Sequence, residues 1–169
     1  MNISYNWLKT IIGIDLPKEE LEAYLTNSGL EVEKIADLKA GNGMLTDLIV
    51  GEVLEKRRHP NADRLSVTEV SIGSGEVLPI VCGAPNVVKG QKVVVAPVGS
   101  ILKPQGGGEF RIKEAKIRGE VSRGMICAED EIGLGDDHDG IMVLEDSVIV
   151  GSKLSDVLEM RDDISIEIG

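Results

Sequence analysis

The sequence predicts an α+β chain in which a five-stranded β-barrel is inserted into a small discontinuous α/β domain. Three observations lead there. The first 38 residues carry helix signals, with apolar positions recurring at helical spacing. From Asp47 the period drops to two, in short β-branched runs separated by glycine-rich or polar turns. After Gly151 helical spacing returns, and the last residues alternate Ile164, Ile166 and Ile168. An alternating strand needs a partner, and residues 1–38 are the only unit still short of one. The expected division is therefore 1–38 plus 152–169 as the α/β domain and 39–151 as the barrel.

Each element has its own signal. Ser4 suits the cap of a helix whose apolar residues are Trp7, Leu8, Ile11 and Ile12, and Gly13 ends it. Pro17 fits the first turn of a second helix. Glu19 and Glu20 complement its dipole, Leu21 and Leu25 share one side, and Gly29 stops it. An extended piece with Leu30 and Val32 follows, and "KAGNG" (39–43) breaks the pattern. The strand runs are "LIVGEVLE", "LSVTEVSI", "VLPIVCG", "KVVVAPVG", "FRIKEAKIRG", "GMICAE" and "GIMVLE". They supply five main strands and extra hairpins, which fits a small barrel such as the OB-fold. In "SKLSDVLEM" a helix places Leu154, Val157 and Leu158 on one side.

Composition narrows the function classes. With 169 residues and 42% hydrophobic content, the chain can build one core, or one domain plus a smaller unit. No apolar run approaches the roughly 18 residues of a membrane span, and the N-terminus lacks a signal-peptide pattern. A cytoplasmic protein is expected, with neither a membrane nor DNA as partner. Cys82 and Cys127 read as buried free thiols, with no CxxC pair. The net charge of −11 lies wholly in residues 129–169, while residues 40–128 carry twelve bases against nine acids. A modest basic face in the middle of the chain therefore survives the overall acidity.

Two stretches concentrate chemistry. "HPNADRLSV" (59–67) follows Lys56, Arg57 and Arg58 and contains His59, Asn61, Asp63 and Arg64. Pro60 biases His59 to an extended backbone, and Asn61 and Asp63 form turns. A loop between strands is the simplest reading. Catalysis by His59 lacks a nucleophile motif, and a metal site lacks a ligand set, since the other histidine, His138, sits in the acidic loop "GDDHDG" (135–140). That loop reads as a solvated turn: Gly135 and Val143 fall where an EF-hand needs ligands. The glycine runs at 73–75 and 106–108 match no nucleotide-binding pattern. The second stretch, "KIRGEVSRGMICAEDEIGL" (116–134), holds Lys116, Arg118 and Arg123. Either these bases solvate a strand edge, or they join Lys56, Arg57, Arg58 and Arg64 in one patch that contacts phosphates. The barrel's one aromatic ring from Phe, Tyr or Trp is Phe110, which argues against an aromatic stacking platform.

Read together, "HPNADRLSVTEVSIGSGEVLPIVCGAPNVVKGQKVVVAPVGSIL" and "KIRGEVSRGMICAEDEIGL" strongly resemble the OB-fold tRNA-binding domain of bacterial phenylalanyl-tRNA synthetase β subunits. "ISYNWLKTIIGID", "GLEVEKI" and "DDISIEI" resemble other parts of the same subunit, so the likeness runs over essentially the whole chain. The resemblance implies an N-terminal fragment of a β subunit with no catalytic residue and no cofactor of its own. It implies a parent that joins phenylalanine to its tRNA with ATP and Mg²⁺, working with an α subunit and the remaining β domains as an (αβ)₂ heterotetramer. Lys56, Arg58, Arg64, Lys116, Arg118 and Arg123 match basic positions of relatives that bind tRNA by shape and backbone. The alternative is a structural or protein-interaction domain that has lost RNA contact.

Overall fold

A computed structural model describes residues 1–38, 45–104, 106–158 and 163–169. The break expected at 39–43 lies outside the described residues. The chain divides into two compact units, Met1–Asn42 with Arg161–Gly169, and Gly43–Met160. Among the described residues, no helix is long and apolar enough to cross a membrane.

The smaller unit is a three-stranded antiparallel sheet with two helices. Its strands are β1 (Asn2–Ser4), β2 (Val32–Leu38) and β13 (Asp163–Ile168), and β13 lies in the middle. The helices are α1 (Tyr5–Ile12) and α2 (Lys18–Asn27). The alternating isoleucines behave as their period demands: Ile166 and Ile168 are buried with Tyr5, Leu21 and Leu25. The Tyr5 hydroxyl donates to Leu16 O (2.8 Å) and accepts from Leu16 N–H (2.6 Å), so the buried ring leaves no polar tip unpaired. Helix α2 ends at Gly29 as expected, with Leu30 N–H returning to Leu25 O. The apolar residues of α1 do not all reach the core. Tyr5 and Leu8, three apart, meet the sheet, whereas Trp7, Ile11 and Ile12 are 56%, 58% and 50% exposed. An eight-residue helix lying on a sheet buries one narrow stripe, and the i, i+3 pair occupies it.

Asp163 fastens the two ends of this unit together. The Ser4 hydroxyl caps α1 by accepting from Trp7 N–H, and it donates to Asp163 Oδ2. Asp163 Oδ1 accepts from Asn6 N–H (2.8 Å) and Ile164 N–H (2.7 Å). Burial pushes this carboxyl up, but the hydrogen bonds from Ser4 and the backbone outweigh it and hold it below its ordinary value. A carboxylate depressed in this way stabilises the fold above its unfolded value and loses that contribution as pH falls through its folded one. Asp163→Asn is therefore expected to lower stability by about 0.3–1 kcal/mol at neutral pH, a small effect because solvent screens the carboxylate, and to flatten the loss on acidification. Urea melts of both proteins at several pH values read this directly.

The larger unit is a nearly closed five-stranded antiparallel barrel. Its strands are β3 (Ile49–Arg58), β4 (Ser66–Ser71), β5 (Val77–Cys82), β6 (Lys92–Ala96) and β11 (Met125–Ile126), hydrogen-bonded in the order β11–β6–β3–β4–β5. Strand β3 bends to serve two neighbours. Its first half pairs with β6 and its second half with β4, with a bulge between Val53 and Glu55. Three short pieces complete the wall. β7 (Ile101–Leu102) pairs β8 (Phe110–Arg111), β9 (Ala115–Ile117) pairs β10 (Glu120–Ser122), and β12 (Val143–Leu144) shares the edge of β6 with β11. The barrel closes where Ser122 Oγ accepts from Val81 N–H (3.1 Å) and Arg123 N–H donates to Pro79 O (2.7 Å).

The run "KVVVA" explains the two layers of core. Val93 and Val95 point into the barrel with Val53, Val70 and Ile80, and Val94 and Ala96 point outward into a second cluster. A strand buried on both faces reads as a continuous apolar run. The second cluster also contains Leu48, Cys127 and Leu154. Here the expected boundary at 152 is corrected. Leu154 opens helix α3 (Leu154–Val157) and is fully buried on the barrel. Gly151 N–H and Leu154 N–H donate to Val50 O and Leu48 O (2.8 and 2.9 Å), which ties this segment to the start of β3. Both cysteines are buried and free, and burial pushes the Cys127 thiol far up.

Candidate nucleic-acid interface

The connection between β3 and β4 (59–65) closes on itself through His59 N–H to Leu65 O (3.1 Å) and Leu65 N–H to Ala62 O (3.2 Å). His59 is only 4% exposed. Its Nδ1 accepts from Asn61 N–H (3.0 Å), which leaves the ring proton on Nε2, and Nε2 donates to Ile117 O (2.9 Å). Asn61 Nδ2 then donates to Arg118 O (3.0 Å). The histidine is thus a staple between this loop and the β9–β10 hairpin, with both ring nitrogens used.

That hairpin turns at Arg118 and Gly119, with φ of 47° and 99°. Two consecutive positive φ values in a two-residue loop match a type I′ turn, whose twist suits antiparallel strands and whose second position favours glycine. The strained Arg118 is held because its carbonyl takes the Asn61 bond. Arg57 Nη2 donates to Glu120 Oε2 (2.7 Å), a second link, and the guanidinium holds the Glu120 carboxyl below its ordinary value. The two basic segments, far apart in sequence, are therefore stitched edge to edge.

The seven candidate cations fall into groups. Lys56, Arg57, Arg58 and Arg64 line one groove of about 570 Å³, with Asp63 its single carboxylate and Gly83, Ala84 and Pro85 as its far wall. Lys56 Nζ donates to Val87 O (2.7 Å), which orients it without neutralising it. Arg58 meets Asp63 only at 3.9 Å, with both side chains largely in solvent, so that pair contributes little. Arg64 has no ion-pair partner among the described residues. Outside the groove, Lys116 and Arg118 sit exposed on the hairpin, and Arg118 reaches Asn61 O at 3.4 Å. Arg123 is turned away to Glu114 (2.9 Å). The structure thus brings four of the seven together, sets two beside them, and pairs the last elsewhere. Residues 83–85 escape a reading based on charge. Their sequence, Gly-Ala-Pro, signals a rigid close-approach loop, not a ligand.

Surface geometry of this kind suits phosphate: fixed cations over a groove lined by one carboxylate, Asp63, with a second, Glu120, engaging Arg57 from outside it. Residues 48–153 match a family model described as a putative tRNA binding domain. The phenylalanine–tRNA ligase β subunit of Bacteroides fragilis is 49% identical over 168 residues, covering 99% of this chain and 20% of that protein. That of Chlorobaculum tepidum is 49% identical over 160 residues, 94% of this chain and 19% of that protein. That of Halalkalibacterium halodurans is 46% identical over 171 residues, 97% of this chain and 20% of that protein. The chain spans about a fifth of the length of these curated relatives.

Proposed function

The chain belongs to the family of putative tRNA-binding domains, and from that membership we propose that it is the non-catalytic tRNA-binding module of a phenylalanine–tRNA ligase β subunit. The single observation that carries RNA contact is the groove with four cations and one carboxylate on an OB-type barrel. Arg58 and Arg64 lead, because they line the groove and carry the weakest internal partners. Lys116 and Arg118 extend the contact along the hairpin. Arg57, Lys56 and Arg123 are already engaged and play the smaller part. The parent is a ligase that attaches phenylalanine to its tRNA with ATP and Mg²⁺ in the cytoplasm, and it assembles with an α subunit as (αβ)₂.

A scaffold role is the rival, favoured by the ion pairs that Arg57 and Arg123 already make within the barrel. Neutralising both Arg58 and Arg64 to Gln separates the readings. On the tRNA reading, affinity for tRNA at low salt falls about tenfold or more and the salt slope shrinks by roughly one per lost contact. Unchanged affinity would favour the scaffold.

A further inference from the structure

Behind the Gly83–Pro85 wall lies a second cavity of about 360 Å³, and Gly83, Ala84 and Pro85 line both. The two cavities differ in chemistry. The first is cationic. The second is walled by apolar side chains such as Met125, Ile126 and Ile141, with Glu131, His138 and Asp139 as polar groups. Its size falls within the usual range for small-molecule sites. Glu131 is half-buried, and its Oε2 accepts from Ala128 N–H (2.7 Å), leaving Oε1 without a partner among the described residues. The His138 ring is 79% exposed, and its Nδ1 is held by Asp130 Oδ2 at 2.6 Å. Asn86 clamps the loop that carries His138: its side chain donates to Ile141 O (3.0 Å) and accepts from Ile141 N–H (2.9 Å).

A nucleotide has the same division, an anionic phosphate joined through a sugar to a flat, mostly apolar base with a hydrogen-bonding edge. We propose that these two cavities together seat one unstacked nucleotide of single-stranded RNA, phosphate on Arg58 and Arg64 and base in the second cavity, stacked on His138 with its exocyclic amine donating to Glu131. The inference rests on the RNA-binding reading and adds to it a site for an unpaired base. It also answers the shortage of Phe, Tyr and Trp, because histidine supplies the stacking face. A carboxylate acceptor favours cytosine, whose N4 amine donates, over uracil, which has no exocyclic amine.

The test is fluorescence anisotropy of the 169-residue chain with labelled oligocytidylate, oligouridylate and an RNA duplex at low salt. Wild type is expected to bind oligocytidylate about tenfold more tightly than oligouridylate, and Glu131→Gln to erase that preference. His138→Ala is expected to weaken single-strand binding about tenfold and leave duplex binding unchanged, while His138→Phe restores it. Equal losses on duplex and single strand, or a loss that His138→Phe fails to restore, would overturn the base site. Displacement of oligocytidylate by free cytidine monophosphate at similar concentration would assign the cavity to a free nucleotide instead and overturn the RNA-strand proposal. If wild type bound duplex but not single strand, the base site would fail and the phosphate groove would stand. Absence of binding to any of the three RNAs would remove both.

Discussion

Gly51→Ala is expected to destabilise the barrel by about 3 kcal/mol and lower its melting temperature by roughly 10 °C, although it adds one methyl group. Gly51 is the third residue of β3, opposite Val93 of β6 and one residue before Glu52, which pairs with both β4 and β6. A Cβ there would lie 2.6 Å from Val95 Cγ2 and 2.7 Å from Val70 Cγ1. Both valines are fully buried and belong to the inner core. β-Branched side chains have little rotamer freedom with which to retreat, so the backbone of β3 must shift instead. A double-mutant cycle isolates the clash. Val95→Ala destabilises alone through its cavity, but in the Gly51→Ala background it relieves the overlap, so the coupling is expected to be favourable by about 1 kcal/mol or more. Additive effects would show that the methyl is accommodated elsewhere.

His59→Ala is the second large effect, expected at about 2–4 kcal/mol. The substitution leaves Asn61 N–H without its imidazole acceptor, removes the imidazole donor from Ile117 O, and opens a void where a 4%-exposed ring stood. Urea unfolding should show a lower midpoint at an unchanged slope. The consequence for the interface is more specific. With the staple gone, the β9–β10 hairpin keeps the Asn61–Arg118 and Arg57–Glu120 links but loses its buried anchor. Amide exchange in residues 116–121 should accelerate selectively, and RNA affinity should fall although no charge has been removed. Intact RNA binding by a folded His59→Ala protein would separate the histidine from presentation of the cations.

Much of the architecture was legible because it is written in period. The alternation of Ile164, Ile166 and Ile168 announced a strand, and "KVVVAPVG" announced another, whose burial on both faces only the structure shows. What period cannot encode is the partner. Leu154 looks like an apolar helix position whichever unit it packs on, and its burial beside Leu48 and its backbone bond to that residue assign it to the barrel. Trp7, Ile11 and Ile12 carry the hydrophobicity of a core stripe but lie beyond the width that α1 buries. The interface shows the same division. Its seven cations were visible as charge, and the turn-forming nature of 59–63 was visible in Pro60 and Asn61. The stitch that makes the segments contiguous runs through ring nitrogens, one amide and two carbonyls some 57 or 58 residues apart, and no local pattern reports it. The cavity walled by Glu131 and His138 was hidden for the same reason, since its walls come from three separate stretches.

The salt dependence of tRNA binding by this chain tests the central claim most directly. Equilibrium titrations across increasing salt yield the slope of log affinity against log salt concentration, which counts phosphates neutralised. Three to four contacts, led by Arg58 and Arg64, predict a slope of about −3, or a fall of roughly fiftyfold to hundredfold between about 50 and 200 mM salt. A slope near zero, or no binding at the lowest salt, would contradict an electrostatic RNA interface on this barrel.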